Sequence, residues 1–75
     1  DAPPSETLRI ALRSPDPDAL TLREARLLAR ADRLVHTPDV PAAILDRARA
    51  DADRIVGDAP PPDAPGLTIL LEMMR

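Results

Sequence analysis

Few side chains in this sequence are of a type that does chemistry. Asp16 and Asp18 place two carboxylates in the run Arg13-Ser14-Pro15-Asp16-Pro17-Asp18. Paired carboxylates can divide general acid and general base work, but only in a pocket that sets their protonation apart. Flanked by prolines, both read first as turn residues whose oxygens hold nearby backbone N–H groups. His36 is the single histidine. It could exchange a proton near neutral pH, yet at the end of a short strand it reads as a structural or solvated group. Ser14 has no base beside it and is set aside as a nucleophile. Arg23, Arg26 and Arg30 recur at helical spacing, with Arg33 just beyond. Guanidinium binds carboxylate bidentately, so this stripe could grip a polycarboxylate or an acidic partner. The plainer reading is a solvated face with surface ion pairs. Met73 and Met74 could form a soft contact surface; the reading taken is a frayed C-terminus.

Those residues need elements to position them, and composition limits what the elements can be. The chain has 75 residues, with 10 Pro, 2 Gly, no Cys and no aromatic residue. Absent cysteine removes a disulfide framework, a thiol nucleophile and the common zinc sites. All 10 basic residues are Arg, so lysine chemistry is excluded. A net charge of −3 without aromatics argues against nucleic acid as a partner. No apolar run approaches the roughly 20 residues of a membrane span. Ala supplies 13 of the hydrophobic residues, so the core is thin. A domain of this size buries only about 60% of its unfolded surface, and it is marginally stable or needs a partner. A soluble, cytoplasmic protein is expected, and the start at Asp1 reads as an excised or processed piece.

Residues 1–6 read as a disordered tail or linker, and residues 7–75 as one domain. Alternation of Leu8, Ile10 and Leu12 predicts a strand over 7–12. Residues 13–18 break it. Thr21-Leu22-Arg23-Glu24 is a capping box, and the helix it opens should run to about Ala31. A helical period then puts Leu22, Ala25, Leu28 and Ala29 toward the core. A strand over 33–36 and a turn at 37–39 follow. A second helix has Pro41 in its first turn and Val40, Ile44, Leu45 and Ala48 as its apolar stripe. A strand over 53–56 closes at Gly57. The Pro-rich connector 57–66 leads to a last strand over 67–71. The order β-α-β-α-β plus a C-terminal strand predicts a small α/β fold with a mainly parallel sheet and right-handed crossovers.

Asp16-Pro17-Asp18-Ala19-Leu20-Thr21-Leu22-Arg23, followed by Ala31-Asp32, resembles the opening of the tetrapyrrole methylases. That family includes the uroporphyrinogen-III C-methyltransferases and the methylase half of siroheme synthases. Ile44-Leu45, Ala48-Arg49 and Asp51-Ala52-Asp53-Arg54-Ile55 extend the resemblance, which covers about residues 8–57. It implies the first part of a methylase domain, S-adenosylmethionine as cofactor and a tetrapyrrole as substrate. It puts Asp16 where the family has an acid near the tetrapyrrole, and the family's glycine-rich cofactor loop on Ala11, Arg13, Pro15, Asp16 and Pro17.

The departures from the family fall in that loop. Its three glycines are replaced by Ala11, Arg13 and Pro15. A methyl group blocks close approach, and proline fixes φ and removes a donor, so the family's loop shape cannot persist. The Tyr-Asp-Arg that often ends the family's second strand falls on His36, Thr37 and Pro38 and is lost. Complete methylases are also much longer than this chain.

The reading that follows is a non-catalytic methylase-like module of a siroheme or tetrapyrrole biosynthesis protein. It would serve assembly, as a homodimer or beside an attached precorrin-2 dehydrogenase domain, or tetrapyrrole handling. On this reading the chain itself holds no cofactor and no metal. Two readings stay open beside it. One is a working part of an S-adenosylmethionine-dependent uroporphyrinogen-III C-methyltransferase. The other is a free-standing adaptor that docks through Arg23, Arg26, Arg30 and Arg33.

Overall fold

Four strands, each parallel to its neighbours, form the one sheet of the computed structural model, which describes residues 5–61 and 65–74. The elements in chain order are β1 (Ser5–Leu12), a 3-10 turn (Pro17–Ala19), α1 (Leu22–Arg30), β2 (Arg33–His36), α2 (Ala42–Leu45), β3 (Asp53–Val56) and β4 (Gly66–Met73). Across the sheet the order is β1-β4-β2-β3. The last strand therefore inserts between the first two, and the expected small α/β fold with a parallel sheet is borne out.

Both long strands exceed their predicted bounds, because each supplies the other's ladder. β1 pairs with β4 from Ser5 opposite Gly66 to Leu12 opposite Met73. Ser5 and Glu6, read in the sequence as tail, thus belong to β1; the rest of that tail, residues 1–4, lies outside the described residues. Met73, read as frayed, is a half-buried strand residue packed against the core. The Met74 N–H donates to the Leu12 carbonyl at 2.7 Å. Of the connector 57–66, residues 62–64 lie outside the described residues.

Side chains alternate across a strand, so each face of the sheet takes every second residue. Ile10, Leu12, Leu34, Ile69 and Leu71 point to one face and pack with Leu28 of α1 and with Val40, Ile44, Leu45 and Ala48 around α2. The predicted stripe of the second helix is thus correct, although α2 is a single turn. Val35 and Leu70 are buried outside that cluster, on the opposite face.

The predicted stripe of α1 holds at Leu28, with Ala25 half-buried, and fails at Leu22 and Ala29. Leu22 is 69% exposed and Ala29 is exposed, while Leu28 and Ala31 are fully buried and Leu27 is partly so. The buried or half-buried positions are 24, 25, 27, 28 and 31, while 22 and 29 face away. Packing selects this face, since Leu28 and Ala31 seat in the core while Leu22 stays on the far side of the helix.

One junction holds the middle of the sheet in register. The Asp32 carboxylate accepts the Leu67 N–H at 2.7 Å, and the Asp32 N–H donates to the Leu67 carbonyl at 2.9 Å. The Asp32 carbonyl accepts the Asp53 N–H at 3.2 Å. Asp32 therefore ties β2 to both of its neighbours. Gly66 has φ +90°, and a Cβ there would run into the Asp32 carboxylate.

Candidate functional site

Open parallel α/β sheets take ligands outside the carboxyl ends of their strands. Here that edge is built from the loop after β1, the loop after β2 and the end of β4. An open groove of about 420 Å³ lies there, lined by Thr37, Pro38, Asp39, Glu72 and Met73. Thr37 Oγ1 donates to the Asp39 carboxylate within that lining. Glu72 pairs with Arg9 at 3.7 Å. A second groove of about 500 Å³, lined by Ser5, Glu6, Gly66 and Leu67, lies at the opposite end of the strands.

The loop after β1 is braced by hydrogen bonds within it. The Asp16 N–H donates to Ser14 Oγ at 3.1 Å, and Asp16 Oδ1 accepts the Asp18 N–H at 2.9 Å. Ala19 and Leu20 return their N–H groups to the carbonyls of Asp16 and Pro17. Pro15 and Pro17 have no N–H to give. Asp18 is drawn toward Arg47 at 3.6 Å. Arg13 leaves the loop altogether, its guanidinium donating to Glu24 Oε1 at 3.2 Å. Ala11 is half-buried in β1 opposite Glu72.

Glu24 is the electrostatic centre of this corner. Burial pushes its carboxyl up, but the backbone N–H of Thr21 at 2.8 Å, the Thr21 hydroxyl and the Arg13 guanidinium outweigh that and hold it below the ordinary glutamate value. Its charge is spent on the helix start and the loop, and none faces the groove.

The candidate residues therefore separate. Asp16 and Asp18 are joined through a backbone N–H as turn residues, with no shared pocket. His36 is buried and its Nδ1–H donates to the Thr37 carbonyl at 3.0 Å, a structural role. Arg33 does not extend the α1 stripe. It lies in β2, where its guanidinium donates to Thr68 Oγ1 at 3.0 Å and to the Pro65 carbonyl at 3.1 Å. Arg23, Arg26 and Arg30 are exposed along α1.

Sequence reasoning missed Glu72 and the Thr37–Asp39 pair, because only the fold brings β4 beside β2. Among the described residues no cluster of His, Cys, Asp or Glu could hold a metal. No helix among them is long and apolar enough to cross a membrane. The residues at the β1 loop do not fit S-adenosylmethionine in the family's manner: Ala11, Arg13 and Pro15 stand where its glycines would be, Pro15 and Pro17 have no N–H, and the Asp16 and Asp18 N–H groups are bonded within the loop.

Fold and site together define a small parallel α/β unit with an internally braced first loop. The chain is 45% identical over 56 residues, 73% of its length, to the siroheme synthase of Nitrosomonas eutropha. It is 45% identical over 40 residues, 53% of its length, to the siroheme synthase of Gluconacetobacter diazotrophicus. Those stretches are 12% and 8% of the two relatives, so the chain spans a small part of the proteins it matches. No family model matches the chain, and no solved structure matches it. The resemblance to siroheme synthases is borne out, and the chain is a siroheme-synthase-related segment.

Proposed function

We propose that this chain is a methylase-like module of a siroheme biosynthesis protein, and that it transfers no methyl group itself. Its work is assembly or the handling of a tetrapyrrole. The loop after β1 carries this reading: a cofactor held in the family's manner needs the close backbone approach that glycine allows, whereas here Ala11, Arg13 and Pro15 stand in those places and the Asp16 and Asp18 N–H groups are bonded within the loop. The assembly role draws support from the outer edge of β1. In a parallel ladder alternate residues point their backbone groups to opposite sides. Leu12 faces β4, so Thr7, Arg9 and Ala11 present theirs outward. An open edge of this kind can pair with a second chain, as a homodimer or with an attached dehydrogenase domain.

A second reading, part of an S-adenosylmethionine-dependent C-methyltransferase, is favoured by the groove at Thr37, Pro38, Asp39, Glu72 and Met73, which lies where parallel sheets take ligands. Calorimetric titration of the folded chain with S-adenosylmethionine separates the two. The module reading predicts no saturable heat up to millimolar ligand. Saturable micromolar binding would overturn it in favour of the methyltransferase.

A further inference from the structure

Nine arginines lie among the described residues, and six of them are engaged. Arg9 meets Glu72, Arg13 meets Glu24, Arg47 meets Asp18, Arg49 meets Asp32 and Asp51, and Arg54 meets Asp46. Arg33 is bound to Thr68 and Pro65. The three without an ion pair or side-chain hydrogen bond among the described residues are Arg23, Arg26 and Arg30, all exposed and all on α1. Among the described residues, the cations without such partners are gathered on one helix.

Helical geometry gives this face its shape. Arg23 and Arg30 lie about 20° apart around the axis and about 10 Å apart along it, with Arg26 between them in height. Leu22 and Ala29 are likewise about 20° apart and sit beside Arg26, on the side away from the core. Leu22 is 69% exposed, and Ala29 is exposed one turn past Ala25, which is half-buried. The face is thus a narrow apolar strip with a rail of three guanidinium groups along one side. A small free polyanion would have no use for the strip. A second helix would: Ala29 allows close approach, and Leu22 needs an apolar cover.

We infer that the outer face of α1 is a docking surface for an acidic amphipathic helix of a protein partner. The helix packs a small apolar stripe on Leu22 and Ala29 and sets carboxylates at i, i+3 or i+4, and i+7 against Arg23, Arg26 and Arg30 in turn. Guanidinium–carboxylate pairs at the rim give direction and specificity, and the covered strip excludes water from them. The inference goes beyond the module reading and does not depend on it.

The test uses a stapled helical peptide with three glutamates at that spacing beside a Leu/Ala stripe, a scrambled peptide of equal composition, and citrate. Fluorescence anisotropy of the labelled helix should saturate with the folded chain, and R23E/R26E/R30E should weaken it by about tenfold or more. Leu22→Ser should weaken the peptide several-fold while leaving any citrate contact unchanged. Circular dichroism confirms that the variants are folded; if the charge-reversed chain is not, R23Q/R26Q/R30Q takes its place. Absence of saturation at millimolar chain, equal binding of the scrambled peptide, or equal affinity of the triple variant would overturn the inference. So would a sedimentation result in which a second copy of the chain already covers α1.

Discussion

Asp32 shows how much one short side chain can hold. Its carboxylate, N–H and carbonyl each take a partner on a neighbouring strand, so the start of β2 is fixed against both β4 and β3. The carboxylate can reach the Leu67 N–H only because Gly66 has no Cβ and holds φ +90°. Alanine at 66 would meet both obstacles at once. A non-glycine residue at positive φ costs about 1–3 kcal/mol, and an orphaned Leu67 N–H costs about 1–3 kcal/mol more. Gly66→Ala is therefore expected to lower the unfolding free energy by about 3 kcal/mol, read from urea unfolding followed by circular dichroism. A change under about 0.5 kcal/mol, the range of neutral surface substitutions, would contradict the role assigned to the junction. The sequence shows Gly66 before an apolar strand and Ala31-Asp32 before another. It does not show that they touch, because the two lie more than thirty residues apart.

Among the elements, α1 is the most legible. Thr21 and Glu24 form the capping box their spacing implies, with the Glu24 N–H donating to the Thr21 hydroxyl at 3.1 Å. The face it buries was not legible. Apolar residues occur on two sides of the helix, at 22, 25 and 29 and at 27, 28 and 31, and only packing selects one. A pH dependence belongs to this element. The folded carboxyl of Glu24 is held below its ordinary value, so the charged form is favoured by folding. Its contribution is fully present above the unfolded glutamate pKa of about 4.3 and is lost as pH falls through the lower folded value. Glu24→Gln should thus be less stable than the parent at neutral pH, with the gap narrowing below about pH 4.3. Unfolding series at several pH values check this; a gap of constant size down to pH 3 would contradict it.

At the scale of the molecule, the β-α-β-α-β order was enough to read a parallel sheet, because short crossovers leave few alternatives. The position of β4 between β1 and β2 was not readable. Strand order depends on which apolar strand can be buried on both faces, and β4 alone has five consecutive buried residues, Leu67 to Leu71. By contrast β3 is exposed throughout and takes the edge. The candidate site followed the same division. The loop from Arg13 to Asp18 could be found from its prolines and its departure from the glycine pattern, whereas the groove over Glu72 needed the strand order.

The central claim is that this loop, with its glycines replaced and its Asp16 and Asp18 N–H groups bonded internally, does not take S-adenosylmethionine. Titrating the nitrogen-15-labelled chain with S-adenosylmethionine and following the backbone amides of Arg13, Ser14, Asp16 and Asp18 tests it residue by residue. The account predicts that these amides do not move at millimolar ligand, with the chain folded throughout. Saturable shifts centred on them would show an open loop and contradict the account.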